Sequence, residues 1–318
     1  MKSSSPSYVG FGMLTPVVIA VVDHLPEHNT GAVIKEVSEF IFDDAAIVAC
    51  LLRQWGVPSA IIGTAVGDDA RGHRLAQQLE EWGVRADVRF TTDYKTPVEV
   101  DVSDSGGART YFWQRSPQIL DTLDTADLSP LSGAHILYVD WYDGDHIVRA
   151  MDEAVRLGIP VFLNFEYGHI DPQLLQRYGS RATFCQAVTD AAQLGHESPL
   201  EVARKLLRAG VRTAIITLAG EGCLALQGNQ ALRVYAPMVE AVDGCGAGAT
   251  FSAGYIFGCL KGWSFRESLR FATAAASLKV SRAGLEMFPV DQVSAAGAKL
   301  ILEELEAAQA DASQGAIP

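Results

Sequence analysis

One segment of the chain reads Val242-Asp243-Gly244-Cys245-Gly246-Ala247-Gly248-Ala249-Thr250-Phe251 and leads into an apolar, helix-like run, Phe251–Leu260. Its glycines at positions 244, 246 and 248 allow the backbone to turn tightly and to present amide N–H groups at the start of a helix. The partial positive charge at a helix N-terminus favours a phosphate or another anion there. A plain glycine-rich turn that packs the helix against a neighbour would use the same residues, so the spacing alone leaves both interpretations open.

Two better-known phosphate motifs do not fit the sequence. A Walker A loop requires a lysine directly after its last glycine, and no glycine of this segment is followed by one. Gly10-Phe11-Gly12 lies near the position of a dinucleotide fingerprint, but Thr15 stands where that motif needs a third glycine or alanine. An anion site, if the residues form one, is therefore expected at Gly246–Gly248, and Gly10–Gly12 is interpreted as a strand end.

Short apolar runs alternate with amphipathic segments over most of the chain. Such runs are typical of buried strands, and apolar residues at helical spacing are typical of the helices between them. The alternation predicts an α/β fold with a mainly parallel sheet and helices on both faces. The predicted strands are Tyr8–Phe11, Ala60–Ala65, Ile136–Val139, Val161–Phe165 and Ala214–Leu218. The predicted helices are Ala45–Trp55, His73–Trp82, His146–Leu157, Pro199–Ala209 and Phe251–Leu260.

Two segments, Val17–Ile34 and Val98–Trp113, alternate polar and apolar residues instead. This period of two predicts antiparallel strands set apart from the main sheet, with Ser105-Gly106-Gly107 at a hairpin turn. A small sheet of this kind serves either as a lid over a ligand cleft or as an edge extension, and the pattern leaves both open.

Composition excludes several classes of protein. The chain has 318 residues, 25 Lys plus Arg and 38 Asp plus Glu, for a formal charge of −13, which argues against a general nucleic-acid or anionic-membrane binder. It has neither a membrane-length apolar run nor a signal-peptide pattern, so we expect a cytoplasmic protein with one α/β domain over residues 1–318. The five widely spaced cysteines are expected to be buried free thiols.

Polar and aromatic residues follow strand Ile136–Val139, and Asn164 and Glu166 end the next predicted strand. Ligands in open α/β sheets bind beyond the carboxyl ends of the strands, so these residues could bound a pocket. A helix cap and a solvated loop would use the same residue types, and the sequence leaves this open. The residues after the first strand are Asp140, Trp141, Tyr142, Asp143 and His146.

The glycine segment resembles the signature of the ribokinase-like (PfkB) carbohydrate kinases, D-[T/S/G]-x-G-A-G-D-x-F, which this chain carries as D-G-C-G-A-G-A-T-F. Four further segments resemble family features in the family's order, and they are Val66–Gly72, Thr92–Thr110, Ile216–Gly222 and Ala272–Gly284. The resemblance implies a ribokinase-like fold, with lid segments at about residues 15–35 and 90–115. It also implies an ATP- and Mg²⁺-dependent kinase of a sugar or sugar-like alcohol, and a homodimer formed through the lid.

The resemblance implies a role for each matching residue. The amides of Gly246, Ala247 and Gly248 would stabilise the transferring phosphoryl group, and Asp243 matches the first acid of the signature. The catalytic base, which takes the proton of the substrate hydroxyl, falls at Ala249. ATP is expected at Thr217, Gly220 and Gly222, the sugar at Thr15, Asp43, Asp44 and Arg109, and Mg²⁺ indirectly at Asp190.

The chain departs from the family pattern at several of these positions. Thr15 replaces an Asp, Phe42-Asp43-Asp44 replaces Gly-Gly-Asn, Ala187–Asp190 replaces Asn-x-x-Glu, and Ala219 replaces a Gly. A positioned base is worth roughly 10²–10⁴-fold, so loss of the Asp at Ala249 alone predicts a slow enzyme. One deliberate substitution at Ala249 would leave the other motifs intact, and the additional departures favour natural divergence.

Three functions compete at this stage. The first is a carbohydrate kinase that lacks its base or uses another acid, Asp44 or Asp243, in its place. The second is a non-catalytic sugar or nucleotide sensor that retains the fold. The third, a nicotinamide-dependent dehydrogenase, has only the α/β pattern and Gly10-Phe11-Gly12 in its favour.

Overall fold

The chain is described by a computed structural model that covers residues 5–104, 106, 108–188 and 197–305. Its strands are β1 Tyr8–Gly12, β2 Thr15–Val22, β3 Ile34–Phe42, β4 Ser59–Gly63, β5 Val66–Gly67, β6 Arg85–Ala86, β7 Phe90–Thr91, β8 Val98–Ser103, β9 Arg109–Gln114, β10 Ile136–Asp140, β11 Val161–Glu166, β12 Phe184–Val188, β13 Thr213–Thr217, β14 Cys223–Gln227, β15 Gln230–Val234 and β16 Leu302–Leu305. Its helices are α1 Asp44–Gln54, α2 Ala70–Glu81, α3 Val148–Arg156, α4 Pro172–Gly179, α5 Pro199–Arg208, α6 Ala247–Leu260, α7 Phe265–Val280 and α8 Val290–Ala298.

The main sheet has ten strands in the order β16-β15-β14-β13-β12-β11-β10-β1-β4-β6. The strands from β6 to β13 run parallel, and β14, β15 and β16 add an antiparallel edge. The predicted α/β class and mainly parallel sheet are confirmed. The order reverses between β1 and β10, and ligands in such sheets bind beyond the carboxyl ends of the strands at this reversal.

The two faces of the main sheet have separate hydrophobic cores, which contain α1, α6 and α7 on one side and α3 and α5 on the other. Helices α6 and α7 pack closely because α6 has glycines at their contact. A Cβ on Gly254 would lie 2.8 Å from Ala272 Cα, and one on Gly258 would lie 2.5 Å from Ser268 Oγ. This packing fixes the axis of α6 and therefore the place where its N-terminus meets the sheet edge.

A second, four-stranded sheet has the order β3-β2-β8-β9. We call it the lid sheet. It confirms the small antiparallel sheet in its β2–β3 and β8–β9 pairs, whereas β2 and β8 pair in parallel. Its bounds also differ from the predicted segments 15–35 and 90–115. Strand β3 continues to Phe42 because it pairs with β2 as far as Thr15, where β2 begins. Strand β7 pairs with β5 in a separate ribbon, so the second segment begins at Val98. Ser105 and Gly107 of the predicted turn lie outside the described residues.

The predicted strands of the main sheet and the helices between them are each found, with ends shifted by at most four residues. The largest shift is at α6, which begins at Ala247 rather than Phe251 because the Gly-Ala-Gly segment itself enters the helix. The cysteines are free, and all are buried except Cys259, which is half-buried. No helix within the described ranges is long and apolar enough to cross a membrane.

Candidate active site

The N-terminus of α6 is shaped for an anion. Gly246 caps the helix at φ +72°, in the left-handed region, and a Cβ there would lie 2.7 Å from Leu285 Cδ2. Only glycine fits this position without strain. The amides of Gly248 and Ala249 belong to the first helical turn and have no carbonyl acceptor within the helix, and that turn holds no acidic side chain. Free donors and a positive dipole end therefore meet at Gly246–Gly248.

Asp243 anchors the loop that leads into α6. Its carboxylate is fully buried and accepts hydrogen bonds from Lys279 Nζ at 2.7 Å, Ser103 Oγ at 2.7 Å and the Cys245 amide at 2.9 Å. The Lys279 ammonium is itself only 1% exposed and also donates to the Asp243 carbonyl oxygen at 2.8 Å. The oxygens of this carboxylate already accept hydrogen bonds, so they are poorly placed to take a proton from a substrate. These contacts argue against Asp243 as a substitute base.

The lid sheet is tied to the same loop. Besides Ser103, the fully buried Asp101 of β8 accepts a hydrogen bond from Cys245 Sγ at 3.0 Å. Arg109 of β9 brings Nη1 to 3.7 Å from Asp101 Oδ2, and its positive charge also acts on Asp44. The lid therefore lies closed against the anion loop, with Arg109 between that loop and the start of α1.

Carboxylates gather where β1, β10 and β11 end and α1 begins. The buried Asp140 accepts hydrogen bonds from the Ala45 amide at 3.2 Å and from Asn164 Nδ2 at 3.0 Å. Asn164 also donates to Asp44 Oδ2 at 3.1 Å. The buried Asp143 accepts a hydrogen bond from the Met13 amide at 3.3 Å. We call these carboxylates, with the two from the lid strand β8, the acidic cluster: Asp43, Asp44, Glu99, Asp101, Asp140 and Asp143.

The electrostatics show that the members of the acidic cluster act on one another. Burial, and after it the charges of Asp143, Asp44 and Glu99, raises the pKa of Asp43 well above its ordinary value. Burial also raises the pKa of Asp143 to about 7, and burial with the neighbouring Asp101 raises that of Glu99 to about 7. Burial and like charges therefore disfavour simultaneous ionisation of these carboxyl groups.

The residues expected to bind ATP lie at the end of β13 and in the turn after it. Thr217 ends the strand and donates from Oγ1 to the Ala187 carbonyl at 3.3 Å. A short 3₁₀ turn, Ala219–Glu221, follows, and Ala219 has φ +45°. Glycine adopts this left-handed conformation easily, which explains its place in the kinase pattern. The turn retains the same conformation here although its residue is alanine.

Comparison with known proteins gives the family. Residues 44–291 match the pfkB family of carbohydrate kinases, which is more than half of the chain. The chain belongs to this family. Ribokinase from Arabidopsis thaliana is 26% identical over 306 residues, covering 89% of this chain and 78% of that protein. A nucleoside kinase from Methanothermobacter thermautotrophicus is 26% identical over 275 residues, covering 83% and 86% of the two chains.

Solved structures of the pfkB kinases have the same fold. Arabidopsis thaliana ribokinase complexed with ribose and ATP superposes with a TM-score of 0.71 at 21% identity, covering 92% of this chain and 99% of that one. A ribokinase II complex with ATP and Mg²⁺ from E. coli superposes with a TM-score of 0.77 at 18% identity, covering 91% and 98%.

The turn after β13 offers a matched pair of glycine substitutions. Gly222 has φ +95°, and a Cβ there would collide with the Val234 carbonyl oxygen, whereas a Cβ on Gly220 would meet no atom within 4 Å. We expect Gly222→Ala to lower the free energy of unfolding by about 2 kcal/mol and Gly220→Ala to change it little. Urea unfolding followed by circular dichroism measures both. Equal effects would contradict the conformation of this turn.

The structure connects several of the predicted pfkB site residues. Thr15 begins β2, Asp43 caps α1 and Asp44 begins it. Arg109 on β9 lies near Asp101 and acts on Asp44. Thr217 ends β13, and Gly220 and Gly222 lie in and directly after the turn that follows. Asp190, the expected indirect Mg²⁺ residue, lies outside the described residues.

Sequence reasoning left the residues after β10 and β11 undecided and missed the remaining contacts. Asp140 and Asp143 are buried at the site rather than solvated, and Asn164 bridges to Asp44, so the pocket interpretation fits these residues. The sequence alone did not reveal the contacts of Lys279, Ser103 and Glu99, because each of these contacts involves residues that are distant in the chain. Alternation along β8 was the available clue, since it places Glu99, Asp101 and Ser103 on one face.

Proposed function

We propose that the protein is an ATP- and Mg²⁺-dependent kinase that phosphorylates a hydroxyl group of a sugar or sugar-like alcohol. One observation carries the proposal. The anion-binding N-terminus of α6 is hydrogen-bonded through its loop to the lid strand β8, whose acidic side chains face the carboxyl edge of the sheet. A phosphate donor and a polyhydroxylated acceptor would meet at this point. Because ATP is the donor, we place the enzyme in the cytoplasm.

The chain's own residues would act mainly by positioning and electrostatics, which supply most of the catalysis in phosphoryl transfer. The amides of Gly248 and Ala249 would hold the oxygens of the transferring group, and Arg109 would add positive charge beside them. Thr15, Asp43 and Asp44 would accept hydrogen bonds from substrate hydroxyls. The absence of acid from the first turn of α6 fits a bound triphosphate. Mg²⁺ would neutralise the phosphate charge, with Asp190 as an indirect partner.

The site lacks the usual acceptor for the proton of the reacting hydroxyl. Ala249 is 1% exposed and has no group that can accept a proton, so we propose that turnover in this sequence is greatly reduced. Of the two acids that could replace the missing base, Asp44 remains the candidate. Burial and the neighbouring Glu166 raise its pKa to about 7, against the effect of Arg109, which suits a base near neutral pH.

The direct test is ADP release from ATP and Mg²⁺ over a panel of aldoses, ketoses, polyols, nucleosides, amino sugars and phosphorylated or sulfonated sugars. We expect slow release that depends on one class of acceptor and is lost in Arg109→Ala. Arg208→Ala, at the exposed end of α5, serves as the matched control. Release that is independent of any acceptor would contradict a sugar kinase.

A non-catalytic sugar- or nucleotide-binding paralogue is the second candidate, and the alanine at position 249 favours it. Such a protein would bind ATP or a sugar without turnover, and restoring the aspartate would not start the reaction. Calorimetric binding of ATP, set beside the release assay, separates the two candidates.

We also propose that the protein forms a homodimer through the outward face of the lid sheet. Val100 and Phe112 lie opposite each other in adjacent strands of that face and are 37% and 62% exposed, and Val37 of β3 is 57% exposed. A second copy would remove this apolar surface from water. We expect Phe112→Glu to raise the dimer dissociation constant about tenfold or more.

Analytical ultracentrifugation over a range of concentrations measures this dimer. Val155→Glu is the matched control, because Val155 is 54% exposed but lies on α3, away from the lid sheet. A wild-type chain that is monomeric throughout the range would overturn the dimer. Equal weakening by the two substitutions would move the interface away from the lid.

A further inference from the structure

Four buried oxygen atoms beneath the lid sheet make no hydrogen bond within the described part of the chain. They are Thr15 Oγ1, Asp43 Oδ2, Asp101 Oδ1 and Asp143 Oδ1. Thr15 is 3% exposed, and Asp101 and Asp143 are fully buried. Buried polar atoms in native proteins are nearly always paired, so a group of unpaired ones marks a place where water or a ligand supplies the partners.

Three of these atoms belong to one stretch of contacts around Met13. The Met13 amide donates to Asp143 Oδ2 at 3.3 Å, and its carbonyl accepts from the Asp43 amide at 3.3 Å. Thr15 follows two residues later and pairs with Phe42, the neighbour of Asp43. Asp101 lies on lid strand β8, two residues from Glu99, whose charge acts on Asp43. The unpaired oxygens of Thr15, Asp43 and Asp143 therefore lie along one stretch of the site, and that of Asp101 lies on the lid beside it.

Carboxyl groups outnumber cationic groups in this part of the site. The acidic cluster has six carboxyl groups, and the arginines that act on it are Arg109 and Arg115. Such surroundings repel a phosphate or sulfonate group on the substrate. A single metal ion is also a poor occupant. Within the described residues, no three of these carboxyl groups place one oxygen each within 4.8 Å of one another, as a shared ion would require.

The lid adds two aromatic rings to the same face. Tyr111 pairs opposite Asp101, and Trp113 pairs opposite Glu99, so the rings and the carboxylates share one side of the lid sheet. The rings are 49% and 55% exposed, and their centroids lie 5.6 Å apart. Aromatic faces attract cations and pack against the apolar faces of sugar rings.

We propose that the sugar-like substrate carries a protonated amine, as an amino sugar or an aminocyclitol does, and that its ammonium group pairs with the acidic cluster. The ammonium would donate to the nearest one or two of these acceptors, and the hydroxyl groups of the same substrate would donate to the others. Its charge also offsets the repulsion among the carboxylates, which a neutral polyol does not. The inference rests on the proposed kinase function and names its substrate class.

The experiment compares ligands that differ only in the amine. Isothermal titration calorimetry without ATP would measure binding of glucosamine against glucose, galactosamine against galactose, and streptamine against scyllo-inositol. N-acetylglucosamine, which lacks the charge, extends the first pair. We expect an amine to bind about tenfold more tightly than its hydroxyl partner. The preference should be lost in Asp143→Asn and in Glu99→Gln, while Glu39→Gln on the outward lid face retains it.

The outcomes separate this inference from the kinase proposal. Amine-selective binding with no ADP release, even from Ala249→Asp, would overturn the kinase but leave the inference intact. ADP release with a neutral or phosphorylated sugar in preference to its amine partner would overturn the inference and leave the kinase. Failure of every amine to bind, or a preference that survives both Asp143→Asn and Glu99→Gln, would also overturn it.

Discussion

Replacing Ala249 with aspartate is expected to raise the turnover of sugar phosphorylation by about 100-fold or more. Ala249 is the third residue of α6, so an aspartate there projects from the first helical turn beside the anion-binding amides. That turn has no acidic residue of its own, and the helix dipole favours one. The carboxylate would take the proton from the substrate hydroxyl as the phosphoryl group arrives.

Ala249→Asn is the matched control, because asparagine has nearly the same shape as aspartate but cannot act as a base. Steady-state ADP release with saturating ATP and Mg²⁺ measures both variants, and KM for the sugar shows whether binding has changed. A gain in kcat that is confined to Ala249→Asp supports a kinase that lacks its base. An equal gain in Ala249→Asn would mean that packing at position 249, rather than proton transfer, limits the rate.

Fast turnover by the wild-type enzyme would contradict the expectation that the alanine at position 249 slows the reaction. Asp44 would then be the base, and Asp44→Asn would abolish turnover, whereas Ala249→Asp would add little. Asp243 cannot take this part, because Lys279, Ser103 and the Cys245 amide already occupy its carboxylate. If neither Ala249→Asp nor the wild-type chain turns over any acceptor while ATP binds, the non-catalytic paralogue is the better description.

The sequence predicted the fold well because its signal is local. The alternation of apolar runs and helical spacing locates β1, β10, β11 and β13, and the glycine segment locates the start of α6. The antiparallel edge of β14, β15 and β16 was not predicted, since short strands joined by tight turns leave little periodicity. The lid bounds were also displaced, because β3 runs to the residue before Asp43 rather than ending near Lys35.

The sequence predicted individual residues of the candidate site but not the contacts between them. Gly246–Gly248, Arg109 and Asp44 could be named from motif positions, but their partners lie far along the chain. Ser103 and Asp243 are 140 residues apart in sequence, and Asp101 and Cys245 are 144 apart. The packed structure as a whole determines which buried oxygens remain unpaired. The acidic cluster and its excess of carboxyl groups over arginines can therefore be identified only from the structure.

Lys279→Met is expected to lower the free energy of unfolding by about 3–5 kcal/mol. The substitution retains the length of the side chain but removes the ammonium that donates to Asp243 Oδ2 and to the Asp243 carbonyl. A fully buried carboxylate would then lack its counter-charge. Guanidinium unfolding followed by tryptophan fluorescence measures the loss. Lys205→Met is the matched control, because Lys205 pairs with Glu197 at the surface, and its loss should cost no more than about 1 kcal/mol.

The double variant Asp243→Asn with Lys279→Met decides whether the uncompensated charge is the cause. Removing the carboxylate charge together with the ammonium should recover part of the lost stability, because neither charge is then left buried alone. No recovery would mean that Lys279 contributes through packing. Asp243 holds both the Cys245 amide and Ser103 of the lid, so the ammonium fixes loop and lid together. Lys279→Met should therefore weaken ATP binding even at temperatures where the variant is folded, whereas Lys205→Met should leave it unchanged.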